Sequence, residues 1–344
     1  MTSRRLLLPV VAAAIGLVAG ALLAGLFGAR PDRFLILLLG ETLGSGYGIG
    51  QVLFKATPLI FTGLAVALPF RAGLFNIGAE GQMMVGGFAM ALAGIHLASV
   101  PGPWLWLLCV AAAFLAGGIW GAIPGLLKAR TGAHEVIVTI LLNFVAAALV
   151  NYFLSRSYAL PDTVRTATLG EGAWMARASD AFGFFRGSGL STALPFALAA
   201  AIACDLLLLR SPLGFHWRIL SGGLRRARYA RLSPGLLSAL SMGLAGAIAG
   251  VGSCYYVLGY KHYFEEGFTS GSGHVGIAVG LLARNRPAAI PVSALLFGVL
   301  SQGGLVVNQL VPRELVDVIV AAILMIFISL DARSREGGLR WISS

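Results

Sequence analysis

The sequence predicts an all-α fold: a polytopic membrane bundle of about ten helices in two halves of opposite orientation, each half interrupted by a break. Three observations predict it. Of 344 residues, 58% are hydrophobic and only 11% charged, with a mean hydropathy of +0.85; a soluble domain carries about a quarter charged residues. Apolar runs recur at the length a bilayer crossing needs, about 20 residues. Two glycine-rich polar stretches interrupt those runs, Gly-Leu-Phe-Asn-Ile-Gly-Ala-Glu-Gly-Gln at 73–82 and Gly-Phe-Thr-Ser-Gly-Ser-Gly-His-Val-Gly at 267–276. Glycine weakens helices, and polar atoms in hydrocarbon need partners. Irregular backbone at membrane depth is tolerated where protein buries it or a cavity runs past it.

The elements follow in order. Arg4 and Arg5 precede an uncharged run, which is too long for a signal segment and reads as a retained first span at 6–28. Residues 30–48 read as a polar, Gly-rich loop. Span 2 covers 50–70, span 3 covers 80–98, and Pro101-Gly102-Pro103 turns the chain. Span 4 ends near Leu127, before Lys128 and Arg130, and span 5 covers 134–154. The longest polar interval, 155–190, reads as an external loop with a short surface helix. Span 6 covers 191–209 and span 7 covers 235–258, flanking a basic cytoplasmic loop at 210–234. A short apolar piece at 277–283 is too short to cross as one helix and is counted as span 8. Spans 9 and 10 cover 288–310 and 315–331. The whole is expected to be one transmembrane domain, with halves at about 1–154 and 191–344.

With both termini inside, 16 of the 25 Lys and Arg fall on the inner side and 9 on the outer. That is the bias expected of cytoplasmic loops. It also accounts for the net charge of +11 without nucleic acid, for which no basic run with interleaved aromatics exists. This orientation puts the first break on the inner side and the second on the outer side. Paired breaks in inverted halves point to a central pathway.

Cys109, Cys204 and Cys254 are far apart in apolar runs and read as small hydrophobes, not as metal ligands or a disulfide framework. Ser270, Ser272 and His274 lack a nucleophile elbow and an orienting acid, so hydrolase chemistry is excluded and no catalytic or metal site is expected. No phosphate-binding loop is present, so any pumping must draw on a partner or an ion gradient.

Glu135, Asp205 and Asp317 fall at helix ends, where carboxylates are solvated or capping. Glu80 lies inside the first break and fits a structural hydrogen-bonding role as well as a path-lining one. The amides Asn76, Gln82, Asn143, Asn151, Gln302 and Asn308 fit interhelical bonding or recognition of a polar solute without a buried charge. The candidate path is Asn76, Glu80, Gln82, Asn143, Ser270, Ser272 and His274. The segment 214–232 alternates basic and apolar residues and is expected to form a short amphipathic helix. Anionic lipid and a cytoplasmic protein suit it equally.

Several stretches together resemble the permease subunits of ABC importers for nucleosides and simple sugars, the lipoprotein-dependent, ribose-permease-like family. They are 73–82, Gly-Ala-Ile-Pro-Gly-Leu-Leu-Lys-Ala-Arg at 121–130, His-Glu-Val-Ile-Val-Thr-Ile-Leu-Leu-Asn at 134–143, Gly-Phe-Thr-Ser-Gly at 267–271, Gly-Ile-Ala-Val at 276–279 and Glu-Leu-Val-Asp-Val-Ile at 314–319. The resemblance implies a bacterial cytoplasmic-membrane importer whose permease binds no cofactor. It implies ATP-Mg on a partner ABC ATPase, an extracytoplasmic substrate-binding lipoprotein, and a second permease, related or identical. It also turns the basic segment toward ATPase docking, through Arg218, Arg225, Arg226, Arg228, Tyr229 and Arg231. Three departures stand out. Gly223-Leu224 replaces the family's Asn-Pro, Arg231 stands where the family has Gly, and His274-Val275-Gly276 replaces aromatic-Asp-Gly. The alternative is a secondary carrier driven by an ion gradient.

Overall fold

The computed structural model describes residues 28–308, together with 15, 18, 20–22, 24, 25, 310, 318, 319, 321, 322, 325 and 326; for Leu224 only the backbone is described. Most of the expected spans 1 and 10 lies outside the described residues, and Asp317 and the terminal arginines lie wholly outside them. The described elements are helices, with three isolated β-bridges and no strand among them.

In order, those of six residues or more are α1 (Pro31–Leu43), α2 (Gly46–Arg71), α3 (Ala79–His96), α4 (Gly102–Thr131), α5 (Glu135–Phe153), α6 (Ala193–Arg210), α7 (Pro212–Ser221), α8 (Leu224–Tyr229), α9 (Pro234–Gly252), α10 (Ser272–Leu282) and α11 (Ile290–Val307). Among the described residues six helical stretches are long and apolar enough to cross a bilayer, in α2, α4, α5, α6, α9 and α11; α10 is a shorter apolar helix.

Three expectations need correction. Residues 30–48 are not a loop, because Pro31 at the start and the apolar run through Leu39 build α1, which buries Phe34, Leu38 and Thr42. The basic segment is two helices, because Gly223 adopts φ 112, a conformation that favours glycine and ends α7 before α8 starts. The breaks are shorter than they read: helix resumes at Ala79 and at Ser272, so Glu80 and Gln82 lie in a first helical turn.

The chain divides into two compact units, 57–294 and a second comprising 1–56 with 295–344. In the second unit, Phe34 and Leu38 of α1 pack with Leu300 and Val307 of α11, and with Ala21, Ala24 and Ile319.

The 57–294 unit is organised on the antiparallel pair α4 and α9. Their contact is a stripe of small residues. A Cβ on Gly117 would stand 2.4 Å from the Gly246 carbonyl oxygen, one on Gly121 2.5 Å from that of Met242, and one on Gly125 2.7 Å from that of Ser238. A Cβ on Gly250 would stand 2.5 Å from the Ala113 carbonyl. Backbones this close gain dispersion contacts that bulkier side chains would prevent, which is how helices associate where lipid removes the hydrophobic drive. This pair joins the first expected half to the second, so the halves interlock within the unit. The helix α3 wedges against the same pair, with Gly86 facing Gly250.

The unit has two ends. At one, the Arg71 Nε donates to the Asn285 carbonyl at 3.2 Å, the Trp217 Nε1 to that of Leu237 at 3.2 Å, and Gly73 packs on Ser221. At the other, the 159–192 segment folds over as a lid. The Leu169, Met175 and Thr166 N–H groups donate to the carbonyls of His262, Leu258 and Phe264, each at 2.9 Å, and that of Gly170 to Gly94 at 3.1 Å. Trp174 stacks on His262 with centroids 4.2 Å apart. Burial, and then the nearby Arg177, hold the His262 imidazole below its ordinary pKa.

Candidate functional site

The site begins with a proline. Pro69 has no N–H, so the carbonyl four residues earlier, on Ala65, loses its helical donor. The Asn76 Nδ2 replaces it at 3.1 Å. Asn76 and Gln82 then bond reciprocally: Asn76 Nδ2 donates to Gln82 Oε1 at 2.9 Å, and Gln82 Nε2 to Asn76 Oδ1 at 3.1 Å. The Gly78 N–H adds a bond to the same Oδ1 at 2.9 Å. Both amides are buried. From α5, Asn143 grips the same segment, with Oδ1 accepting from the Gly81 N–H and Nδ2 donating to the Ile77 carbonyl, each at 2.9 Å. The Thr139 hydroxyl accepts from the Ile77 N–H at 3.3 Å. The first break is thus an amide knot tying α2, α3 and α5.

Glu80 joins this knot to the second break. Its Oε1 accepts from the Thr269 hydroxyl at 2.5 Å and from the Gly271 N–H at 3.2 Å; its Oε2 accepts from the Gly273 N–H at 2.6 Å. These donors sit at the start of α10, where the first N–H groups have no helical acceptor and the macrodipole favours an anion. The carboxylate belongs to the first turn of α3, so it lies between two helix N-termini. Gly273 permits the contact, since a Cβ there would be 2.2 Å from the Glu80 nitrogen. On the other flank the Thr62 hydroxyl donates to the Ser272 carbonyl at 3.0 Å, and a Cβ on Gly276 would meet that hydroxyl at 2.4 Å.

The depth of this junction follows from two independent lengths. Nine residues of α2 separate Thr62 from Arg71, about 14 Å at helical rise. Ten residues of α10 separate Ser272 from Leu282, just before Asn285, about 15 Å. Arg71 and Asn285 are bonded, as are Thr62 and Ser272, so the junction stands roughly half a bilayer thickness above the basic end. Against the expectation of one break on each face, the two breaks meet inside the unit.

The other candidate residues are more open. Ser270 is exposed, at φ 47, and Ser272 is half-buried. The His274 side chain is 58% exposed, with Nδ1 3.8 Å from Glu80 Oε2. Thr62, Thr139 and Thr269 were not singled out in the sequence; a threonine in an apolar run gives little signal, because its hydroxyl can bond back to its own helix.

At the basic end, Arg218 Nη1 donates to the Leu208 carbonyl at 2.6 Å, and its guanidinium lies 5.9 Å from the Phe215 ring centroid. Trp217, fully buried, anchors α7, and Ala227 anchors α8. Arg225, Arg226, Arg228, Tyr229 and Arg231 are all exposed. Arg231 adopts φ 55, a left-handed conformation that suits the glycine found there in the resembling family. The turn at Gly73 brings the first break against this segment: a Cβ on Gly73 would stand 3.1 Å from the Ser221 Cα. Among the described residues no cluster of His, Cys, Asp or Glu has metal-binding geometry.

A family model described as "Branched-chain amino acid transport system / permease component" matches residues 48–329. The guanosine ABC transporter permease protein NupP of Bacillus subtilis is 36% identical over 329 residues, covering 93% of this chain and 92% of its own. The glucose ABC transporter permease protein TsgB13 of Haloferax volcanii is 34% identical, covering 84% and 78%. The nucleoside ABC transporter permease protein NupB of Lactococcus lactis is 31% identical, covering 94% and 90%. Bacillus subtilis and Lactococcus lactis each have a further matching permease of the same description, NupQ at 24% and NupC at 23%. A solved metal-chelate type ABC transporter in an inward-facing conformation aligns over 96% of each chain at 16% identity, with a TM-score of 0.39. The chain belongs to the branched-chain amino acid transport system / permease component family, as a multi-pass ABC-transporter permease, which is a transport subunit and neither an enzyme nor a gradient-driven carrier.

Proposed function

We propose that this permease imports nucleosides or simple sugars across a bacterial cytoplasmic membrane, with both termini cytoplasmic and the lid outside. The solute class is supported by the relatives, which are named for guanosine, nucleosides and glucose. An extracytoplasmic lipoprotein delivers the solute to the lid end. A partner ATPase carrying ATP-Mg docks at the basic end on Arg218, Arg225, Arg226, Arg228, Tyr229 and Arg231. A second, related permease completes the path; two relatives each have such a companion in their own organism. The path follows the exposed side of the junction, past Ser270, Ser272 and His274. Asn76, Glu80, Gln82 and Asn143 form the wall that holds its shape. The whole chain acts as one transmembrane domain, with 155–190 as its external loop and 210–234 as its coupling loop.

One observation carries the reading. The exposed basic segment at α7 and α8 touches the first break through Gly73 and Ser221, and that break is bonded to the second through Glu80. A movement imposed on the basic segment therefore has a packed route to the junction.

The test is the triple substitution Arg225→Ala, Arg226→Ala, Arg228→Ala, reconstituted with the partner subunits in liposomes. ATP-dependent uptake should fall to background while membrane insertion is kept. Uptake at the normal rate would remove the docking assignment.

A further inference from the structure

We infer that His274 contacts the transported solute and sets its specificity, the free ring nitrogen Nε2 bonding a neutral solute that carries hydroxyl or ring N–H groups. This rests on the proposed function and names a residue within it.

The argument starts from cost. An ionisable side chain at membrane depth is expensive, and it persists where it faces protein, a partner or water. His274 sits in the first turn of α10, about 12 Å by helical rise from the Leu282 end, so it lies well inside the bundle rather than at an interface. Yet its ring is more than half exposed, whereas Glu80 beside it is 11% exposed. Apart from Ser270, which is exposed, and Ser272, which is half-buried on the same open side, the other polar side chains of the junction are spent. Asn76, Gln82 and Asn143 bond one another or the backbone, Thr62 and Thr269 donate to Ser272 and Glu80, and Glu80 already accepts three bonds. Among the described residues neither ring nitrogen of His274 has a hydrogen bond. Nδ1 is turned to Glu80 at 3.8 Å, too long for a hydrogen bond but close enough to bias the ring, so Nε2 is the atom left to a visitor.

The class of ligand follows from the surroundings. The Glu80 carboxylate repels an anionic solute approaching the ring, and its acceptor sites are largely taken. A neutral solute can give a hydroxyl or N–H to Nε2 with no charge to desolvate. The same helix face continues below as Ile277 and Leu281, both half-buried, an apolar strip suited to the flat face of a base or a sugar ring.

The experiment has two arms. In the first, His274→Cys is made in a chain whose three native cysteines, Cys109, Cys204 and Cys254, are replaced by alanine. The complex is treated with a charged, membrane-impermeant thiol reagent. Reaction is expected during ATP turnover, slowed by solute-loaded binding protein; an inert thiol in all states overturns the inference, whatever the solute. In the second, uptake of guanosine and of glucose is measured for the original chain, His274→Gln and His274→Leu. For the transported probe, His274→Leu should raise KM about tenfold, one lost hydrogen bond, and His274→Gln should recover most of it. Unchanged KM in His274→Leu overturns the inference. Failure of the original chain to take up either probe would count against the proposed solute class, while the labelling arm still decides for or against His274.

Discussion

The junction and the basic segment are the two places where this chain departs from a plain apolar bundle, and they are built by opposite rules. At the junction nearly every polar atom is bonded, and glycines bring backbones together. Asn76 and Gln82 are buried, and Gly273 leaves no room for a methyl group. At the basic segment Arg225, Arg226, Arg228 and Arg231 are exposed, and two buried anchors, Trp217 and Ala227, hold it to the unit. A closed network loses several bonds at once when one member changes. An exposed charge costs little to change. The departures from the resembling family follow this division. Gly223-Leu224, Arg231 and His274-Val275 all lie at exposed or partly exposed positions where the side chain is described, while Asn76, Glu80, Gln82 and Asn143 keep the pattern.

The hardest way to break the comparison is at Gly273. Gly273→Ala puts a carbon 2.2 Å from the Glu80 nitrogen, and neither backbone can retreat without parting α3 from α10. We expect a loss of about 3 kcal/mol, the upper range for overpacking, seen as an early melting transition in detergent or as loss of the monodisperse peak. A melting temperature equal to that of the original chain would mean the two breaks are not in contact.

Next in size is Glu80→Ala, which removes the acceptor for Thr269, Gly271 and Gly273 together. Leaving buried donors unpaired costs about 2–3 kcal/mol. Glu80→Gln keeps the volume and one acceptor, so it should fall between the two in a thermal melt. If Glu80→Ala melted no earlier than Glu80→Gln, the carboxylate would not be the link between the breaks.

Much of this was legible in the sequence, for reasons that differ by element. Hydropathy and length find α2, α4, α5, α6 and α9 because one property decides whether such a helix exists. The segment 30–48 failed that test because α1 is too short to cross and packs instead through Phe34 and Leu38. The two breaks were visible as composition, and Glu80 as an unusual residue within one. Their mutual bond was not, since 189 positions separate Glu80 from Thr269 and no periodicity reports a contact at that range. The role of Asn76 was half written in Pro69: a proline announces a free carbonyl four residues back, but not which side chain comes to fill it. In α4 the spacing of Gly117 and Gly121 is common in membrane helices. It acquires meaning only opposite Gly246 and Met242.

The smallest effect sharpens the comparison from the other side. Arg231 sits at φ 55, where an L side chain costs about 1–2 kcal/mol, and the segment tolerates that cost while exposing the charge. Arg231→Gly should therefore raise the stability of the solubilised protein by about 1 kcal/mol, less what glycine's freedom returns to the unfolded chain. Arg231→Asn, which also tolerates this conformation, should gain part of it. Arg231→Ala removes the charge but not the strain, so its melting temperature should stay with that of the original chain. If Arg231→Ala stabilised as much as Arg231→Gly, repulsion among the arginines would be the cause, and the backbone would have no part in it. If both glycine and asparagine raised stability while uptake fell, the strained turn would be kept for the cation it presents. The basic segment would then differ from the junction in kind: one gives up stability to display a charge, the other buries its charge to gain it.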